Sequence, residues 1–340
     1  MKLGAYITRR LLLLIPVLLG VSIFIFTLTR IGGDPAAAYI HDKMTDEQIA
    51  HVYEKFHLNE PIYIQYWYWL DGILHGDWGY SKTARAPVTT AISWYFPATF
   101  ELTLISIVIA VTIGIALGTI SAVKRDRPVD HATRVMALSG VSLPIFWLGL
   151  MLQYVFFYKL RWFPSGGRYD ALLYLQQGPI QKYTGFWTID TLLNGNLTLF
   201  GDALMHLALP AITLSFGTIA IITRIMRSSM LEVLGQEYIK TARSKGLPEK
   251  IVIKKHARKN ALIPTTTVVG LSFGGLLGGA VLTETIYSWP GMGQWSTNAI
   301  ITNDWASILG FVLVTAIIYV IANLIVDILY AFLDPRVRLG

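Results

Sequence analysis

The chain contains no cysteine among its 340 residues. That absence excludes disulfides, thiolate metal sites and cysteine nucleophiles, and it leaves the redox compartment unmarked. Charge is also scarce: Asp, Glu, Lys and Arg make up 14% of the chain, against roughly 25% in soluble domains, and hydrophobic residues make up 54%. No Gly-Lys pair occurs, so there is no P-loop, and no two histidines stand at His-x-x-x-His spacing. ATP binding of the P-loop type and zinc-protease chemistry have no residues to run on. The formal net charge of +7 could suggest nucleic acid. In so apolar a chain the Lys and Arg excess belongs to the cytoplasmic loops of a membrane protein, and no nucleic-acid partner is expected.

What is present is a series of long uncharged runs. Six of them, at about 11–29, 102–123, 135–158, 203–223, 261–283 and 305–326, reach the length of about 20 residues that a helix needs to cross the hydrocarbon core. Arg9 and Arg10 before the first run and Ala36-Ala37-Ala38 after it imitate a signal peptide. The run exceeds the roughly 7–15 residues of a signal core, so it reads as an uncleaved anchor. The expectation is an all-α, polytopic membrane protein in contact with the lipid bilayer.

Loop charge sets the expected orientation. Lys2, Arg9 and Arg10 precede the first run; Lys124, Arg125, Arg127 and Arg134 lie between the second and third; ten basic residues from Arg224 to Lys259 lie between the fourth and fifth; Arg336 and Arg338 close the chain. Alternating spans put all of these on one side, which the positive-inside rule makes cytoplasmic, together with both termini. The resulting division is 1–30 (cytoplasmic segment and first span), 31–98 (a structured external segment), 99–333 (five further spans with a loop at about 224–263) and 334–340 (a cytoplasmic tail).

The segment 31–98 is too long for a plain connection and must carry its own structure. Thr45 and Gln48 form a capping box for a short helix through Phe56, and Asn59-Glu60-Pro61 starts a second, with Pro61 in its first turn. The second helix carries Tyr63, Tyr66, Trp67, Tyr68 and Trp69, a density suited to packing at the membrane–water interface or to contact with an external protein. The segment 159–202 lacks a clear period, and short helices with irregular backbone are expected. Within the spans, Gly114/Gly118, Gly274/Gly278 and Gly275/Gly279 have the spacing that lets helices approach closely, and Pro16, Pro144, Pro210 and Pro264 sit in or at spans where neighbours can satisfy freed carbonyls.

Ionisable groups at the span edges are few: Glu101, Glu284 and Asp327. A carboxylate at such depth is a functional candidate. Glu101 and Glu284, at the external ends of their spans, are candidates for the pathway or its external gate; the alternative is an interfacial carboxylate bonded to backbone or a neighbouring helix.

The most patterned stretch is 236–264. Glu237 to Ser244 can form one helix, with Ala242 small enough for close approach. Gly246 can adopt the left-handed conformation at its end, and Pro248 suits the first turn of a second helix that re-enters the bilayer at Pro264. Ile251 to Ile253 are apolar and Lys254, Lys255, Arg258 and Lys259 basic, so charge alone allows an amphipathic helix on anionic lipid. The Gly-x-Pro corner favours a knob presented to a cytosolic partner.

The sequence Thr241-Ala242-Arg243-Ser244-Lys245-Gly246 resembles the EAA loop of permease subunits of binding-protein-dependent ABC importers, and its setting from Arg227 onward resembles the dipeptide/oligopeptide/nickel branch. Gly33-Asp34-Pro35, Gly76-Asp77-Trp78-Gly79-Tyr80-Ser81, Pro144-Ile145-Phe146-Trp147, Leu282-Thr283-Glu284-Thr285-Ile286-Tyr287-Ser288-Trp289-Pro290-Gly291 and Asp334-Pro335-Arg336-Val337-Arg338 carry the resemblance along nearly the whole chain. Lys240 stands where the general EAA pattern has Glu, with Glu237 one turn earlier, and Gly32 stands where the branch usually has Pro. The resemblance implies a non-enzymatic subunit of the plasma (inner) cell membrane, forming half of a pathway for di- or oligopeptides, or for nickel or an oligosaccharide. It implies a heterodimer with a second, homologous permease, two cytosolic ATPases and an external substrate-binding protein. Glu237, Thr241, Ala242, Arg243, Lys245, Gly246, Leu247 and Pro248 would form the coupling loop. No cofactor or metal would reside in this chain; ATP and Mg²⁺ would bind the ATPases. A stand-alone ion-coupled carrier is the reading from a different class, and it would want a deeper carboxylate than any present here.

Overall fold

The computed structural model describes residues 3–32, 36, 39–40 and 44–333. Gly33-Asp34-Pro35, the motif at 334–338 and Lys2 lie outside the described residues, as do the side chains of Arg9, Arg10 and Asp327. The described chain is helical apart from one hairpin of two-residue strands, β1 (Tyr80–Ser81) and β2 (Ala86–Pro87), paired antiparallel.

The first helix, α1 (Leu3–Gly32), runs unbroken through Pro16. Thr45 and Gln48 form both halves of the capping box ahead of α2 (Asp46–Lys55), and Pro61 is the N-cap residue of α3 (Ile62–Leu74), one position before the helix proper. The α3 aromatics divide by face. Tyr66 and Trp69 turn onto Phe26 of α1, and the Tyr66 hydroxyl lies 2.8 Å from that of Ser22. Tyr63 and Trp67 are exposed.

Beyond the hairpin, α4 (Val88–Val123) starts well before the apolar run at 102, so one helix crosses the expected boundary at 98/99. Hydropathy reports the part of a helix suited to hydrocarbon, and the polar first turns of α4 lie outside that signal. The run at 135–158 is not one helix. It is α5 (Pro128–Ser142) and α6 (Ile145–Leu152), which continues as a π-helical turn to Lys159, with a bend of 110° between the two. Pro144 offers no N–H, and its ring keeps Leu143 extended, at φ −77° and ψ 130°. The expectation of a continuous span there is corrected by this break.

The segment 159–202 holds α7 (Ala171–Gln177) and α8 (Trp187–Leu193) among irregular backbone. Next come α9 (Leu197–Leu234), α10 (Glu237–Ser244), α11 (Glu249–Ile251), α12 (Arg258–Ile286), α13 (Met292–Ile301) and α14 (Trp305–Leu333). A π-helical turn, Val252–Ala257, joins α11 to α12, so the chain enters the bundle as a continuous helix and Pro264 lies inside it rather than at an entry point. Among the described residues, five helices are long and apolar enough to cross a membrane, six if the bent pair counts as one.

The bundle is built around α9. A Cβ on Gly114 would sit 2.7 Å from Ile222 Cγ2, and one on Gly118 would sit 2.7 Å from the Thr223 carbonyl oxygen, so α4 lies as close to α9 as backbone allows. Gly274 makes a similar approach to Tyr319 of α14. Outside this core, α1 packs along α14 through Ile25, Leu309 and Leu313 and turns Leu12, Phe24 and Leu28 outward. An apolar surface of that kind suits hydrocarbon.

Candidate coupling corner and transmembrane cavity

At the basic end of the bundle, Gly235 and Gln236 end α9 and turn the chain into α10. Its inward residues Ile239 and Ala242 are buried against Met226, Met230, Val252, Ala257 and Ala261, so the loop is seated on α9 and the start of α12. The Asn260 Nδ2 group donates to the Tyr238 hydroxyl at 2.7 Å, a second tie between loop and bundle. After Ser244 the chain turns at Gly246, whose φ of +71° is the left-handed conformation that favours glycine. Arg243 then reaches across the corner and donates Nε at 3.1 Å and Nη2 at 2.7 Å to the two oxygens of Glu249. That carboxylate raises the Arg243 guanidinium above its ordinary pKa.

The residues expected in the loop divide accordingly. Ala242 is buried and Leu247 half-buried beneath it, whereas Glu237, Thr241, Arg243, Lys245, Gly246 and Pro248 are exposed. Glu237 pairs with Lys240 at 2.7 Å on the helix surface. Exposed pairs of this sort contribute about 0–1 kcal/mol. The corner is thus rigid by backbone and burial, with an outer surface that no other part of the described chain covers.

A buried ion pair lies beside it. Arg227, near the end of α9, donates Nε at 2.7 Å and Nη2 at 2.9 Å to the two oxygens of Asp130, on the first turn of α5. Asp130 is fully buried and also accepts from the Ser121 hydroxyl and the Asp126 N–H. This fork joins α4, α5 and α9 just before the chain enters the loop. Sequence reading missed it, because the partners are 97 residues apart.

Glu101 and Glu284 occupy the opposite, carboxylate-rich end, and both are saturated by the chain itself. Glu101 takes hydrogen bonds from Arg168, from the backbone of Trp187 and Thr188, and from the Thr188 hydroxyl at 2.6 Å, which fixes the start of α8 against α4. Glu284 accepts from the Thr99 hydroxyl at 2.6 Å and from the N–H groups of Gly293 at 2.7 Å and Gln294 at 3.1 Å. It sits at the N-terminus of α13, where the helix dipole favours an anion. A Cβ on Gly291 would lie 2.4 Å from Glu284 Oε1, so the glycine makes room for the carboxylate. Asp190 and Asp304 organise their own loops similarly, with Asp304 accepting from Thr83 N–H at 2.8 Å and Ser307 Oγ at 2.6 Å. The two carboxylates are not brought together, and each holds a separate loop in place. Among the described residues, no three His, Asp or Glu side chains converge as a metal site would require.

At mid-depth, where α5 breaks, a cavity of about 300 Å³ opens between the bend, α9 and α12. Gly140, Leu148, Gly217, Thr218, Ser272 and Gly275 are among its walls, and among the described residues no charged side chain lines it. Of these, sequence reading named only Gly275, and as a helix-packing glycine rather than a cavity wall. Pro144 was the available signal, since a proline inside the apolar run breaks a helix's carbonyl ladder.

Apolar helices around an uncharged mid-depth cavity, with a seated knob at one end, describe a membrane transport component rather than a membrane enzyme. The family described as "Binding-protein-dependent transport system inner membrane component" matches residues 114–339, and its N-terminal membrane-component counterpart matches residues 3–103. The chain belongs to this family: it is a membrane permease subunit and not itself an enzyme. It is 43% identical to the probable D,D-dipeptide transport system permease protein DdpB of Escherichia coli K12, over 96% of this chain and 95% of that one. It is 44% identical to the dipeptide transport system permease protein DppB of Alkalihalophilus pseudofirmus, over 98% and 99%. It is also 44% identical to the di/tripeptide transport system permease protein DppB of Pseudomonas aeruginosa, over 98% of each.

Proposed function

We propose that this chain is one half of the translocation pathway of an ATP-driven importer of di- and oligopeptides in the plasma (inner) membrane. The observation that carries the reading is the loop at 237–248: a short helix and a left-handed corner, seated by Ile239 and Ala242, with an exposed outer surface. A loop serving only as a connection needs neither the seat nor the corner. The names of the relatives, which span D,D-dipeptides, dipeptides and di/tripeptides, support the cargo class.

In this reading the bent pair α5/α6 is one span, giving six, and the Lys and Arg bias places both termini and the loop in the cytoplasm. Two cytosolic ATPases holding ATP and Mg²⁺ grip the corner around Ala242–Pro248; a second, homologous permease completes the pathway; and an external binding protein delivers the peptide. Closure of the ATPases moves α10 and its corner as a unit. Through the seat under Ala242 and the Arg227–Asp130 fork, that motion reaches α9 and the broken span together, a rigid-body switch between inward- and outward-facing states. At the external end, Glu101 and Glu284 hold the loops that form the outer gate: they position gate elements and do not touch cargo.

The test is affinity purification of the tagged chain in mild detergent. Recovery of a second permease and two ATPases, with ATP hydrolysis, is expected. A chain that purifies alone and moves substrate in vesicles without ATP would contradict the reading.

A further inference from the structure

The break at Leu143-Pro144 frees more than a bend. The Leu143 N–H bonds back to the Ser139 carbonyl, and the next donor along the helix would be residue 144, a proline. The carbonyls of Gly140, Val141 and Ser142 therefore meet no donor among the described residues. Gly140 lines the mid-depth cavity. A Cβ on Gly217, across the wall in α9, would lie 3.5 Å from the Gly140 oxygen, which places that oxygen at the helix crossing beside the cavity.

Two hydroxyls join it. Thr218 is 8% exposed and lines the cavity, yet its hydroxyl makes no hydrogen bond among the described residues. Thr213, Thr265 and Thr266 show the usual alternative, each turning its hydroxyl onto a carbonyl one turn back. Ser272, on α12, faces the same space and is likewise unpaired. Thr218 is buried and Ser272 half-buried, and unpaired polar groups gathered around one cavity mark a place where a ligand can supply the missing hydrogen bonds.

The chemistry of the set selects the ligand. Carbonyls at the C-terminal end of a helix carry partial negative charge and only accept; the hydroxyls can accept as well. No Arg, Lys or His lines the cavity, so a carboxylate finds no countercharge and would face carbonyl lone pairs. A cation that brings its own N–H donors fits, and half-helix C-termini at mid-membrane take cations in just this manner. We propose that this cavity is a subsite for the protonated amino terminus of a peptide in transit. Apart from Thr213, whose hydroxyl is already bonded, the remaining side chains of the wall, Leu143, Ile145, Leu148 and Leu276 among them, are apolar and accept side chains without reading charge. The inference rests on the transport reading above and adds to it which end of the cargo this chain holds.

The test uses the complex recovered with the tagged chain, in lipid nanodiscs and without the binding protein, so that only the membrane subunits select. Equilibrium binding is measured for dialanine and for N-acetyl-dialanine, which keeps the carboxylate and amide but loses the ammonium. Dialanine is expected to bind at least about tenfold tighter than its acetylated form, roughly the discrimination that a lost set of charged hydrogen bonds produces. Thr218→Val with Ser272→Ala should narrow that ratio to about twofold by weakening dialanine alone. Recovery of partner subunits and elution volume show that the variant complex is assembled. Equal binding of both peptides, a ratio unmoved by the double substitution, or no peptide binding by a complex that transports dialanine with its binding protein would each overturn the subsite. Failure of the wild-type complex to transport dialanine at all would instead strike the transport reading, so the two failures are separable.

Discussion

Gly246 separates two kinds of importance that a single glycine can have. Its φ of +71° would strain a side-chain residue, but a Cβ built there meets nothing within 4 Å. In this chain alone, replacement therefore costs only the backbone term, about 1 kcal/mol for most residues and less for Asp or Asn, which tolerate the left-handed region. A cost of about 1 kcal/mol shifts an equilibrium by roughly fivefold. Gly246→Asp should accordingly leave the folded chain intact, with a thermal midpoint within a few degrees of wild type. Under the coupling account the open space over Gly246 is filled by an ATPase, where an aspartate would be buried against the partner without a countercharge. Recovery of the ATPases with the tagged chain should then fall by well over tenfold, and Gly246→Asn should fall nearly as far. Co-purification at matched expression, read beside the thermal midpoint, makes the comparison. Retention of the ATPases within fivefold by both variants would refute the reasoning, because the glycine would then serve the local turn and nothing that grips it.

Three further outcomes follow from the geometry. Asp130→Ala leaves Arg227 largely buried and unpaired, at a cost of about 3 kcal/mol, whereas the shape-conserving pair Asp130→Leu with Arg227→Met should restore most of the stability; thermal unfolding in detergent compares the two. Gly293→Ala drives a methyl to within 2.5 Å of the Val281 Cα, so α13 must lift from α12, and faster proteolysis or amide exchange at 287–304 is expected while the helices at the basic end stay protected. Gly118→Leu places a side chain against the Thr223 carbonyl at the α4–α9 crossing and should abolish accumulation of folded chain, whereas Gly275→Ala, where a Cβ meets nothing within 4 Å, should accumulate normally; membrane-fraction yield distinguishes them.

How much of this was legible in the sequence depended on how local the physics is. The capping box of Thr45 and Gln48 and the helix Glu237–Ser244 appear as read, because each is decided within a few residues. The left-handed Gly246 follows for the same reason, and Gly114 and Gly118 announce a close helix contact by spacing alone. What they contact is not announced. The carboxylates Glu101 and Glu284 could be marked as unusual, but their saturation depends on Arg168, Thr188 and Thr99, brought in by folding from distant segments. The same holds for Arg227 and Asp130. The broken span had its signal in Pro144, but uniform hydropathy on both sides masked it, since a 110° bend changes no residue's polarity. Conversely, Pro264 read as the point of re-entry into the bilayer, yet it lies inside α12, which runs through it unbroken. A helix tolerates a proline when neighbours take up the freed carbonyl, and only tertiary context decides which proline is which.

The central claim is that this chain forms half of an ATP-driven peptide pathway. The most direct measurement is uptake of labelled dialanine into proteoliposomes holding the complex isolated with the tagged chain, with binding protein outside and ATP and Mg²⁺ sealed inside. The account predicts accumulation above the external concentration that requires hydrolysable ATP and is lost with Gly246→Asp. Accumulation that proceeds without ATP, or that follows an imposed ion gradient instead, would contradict it.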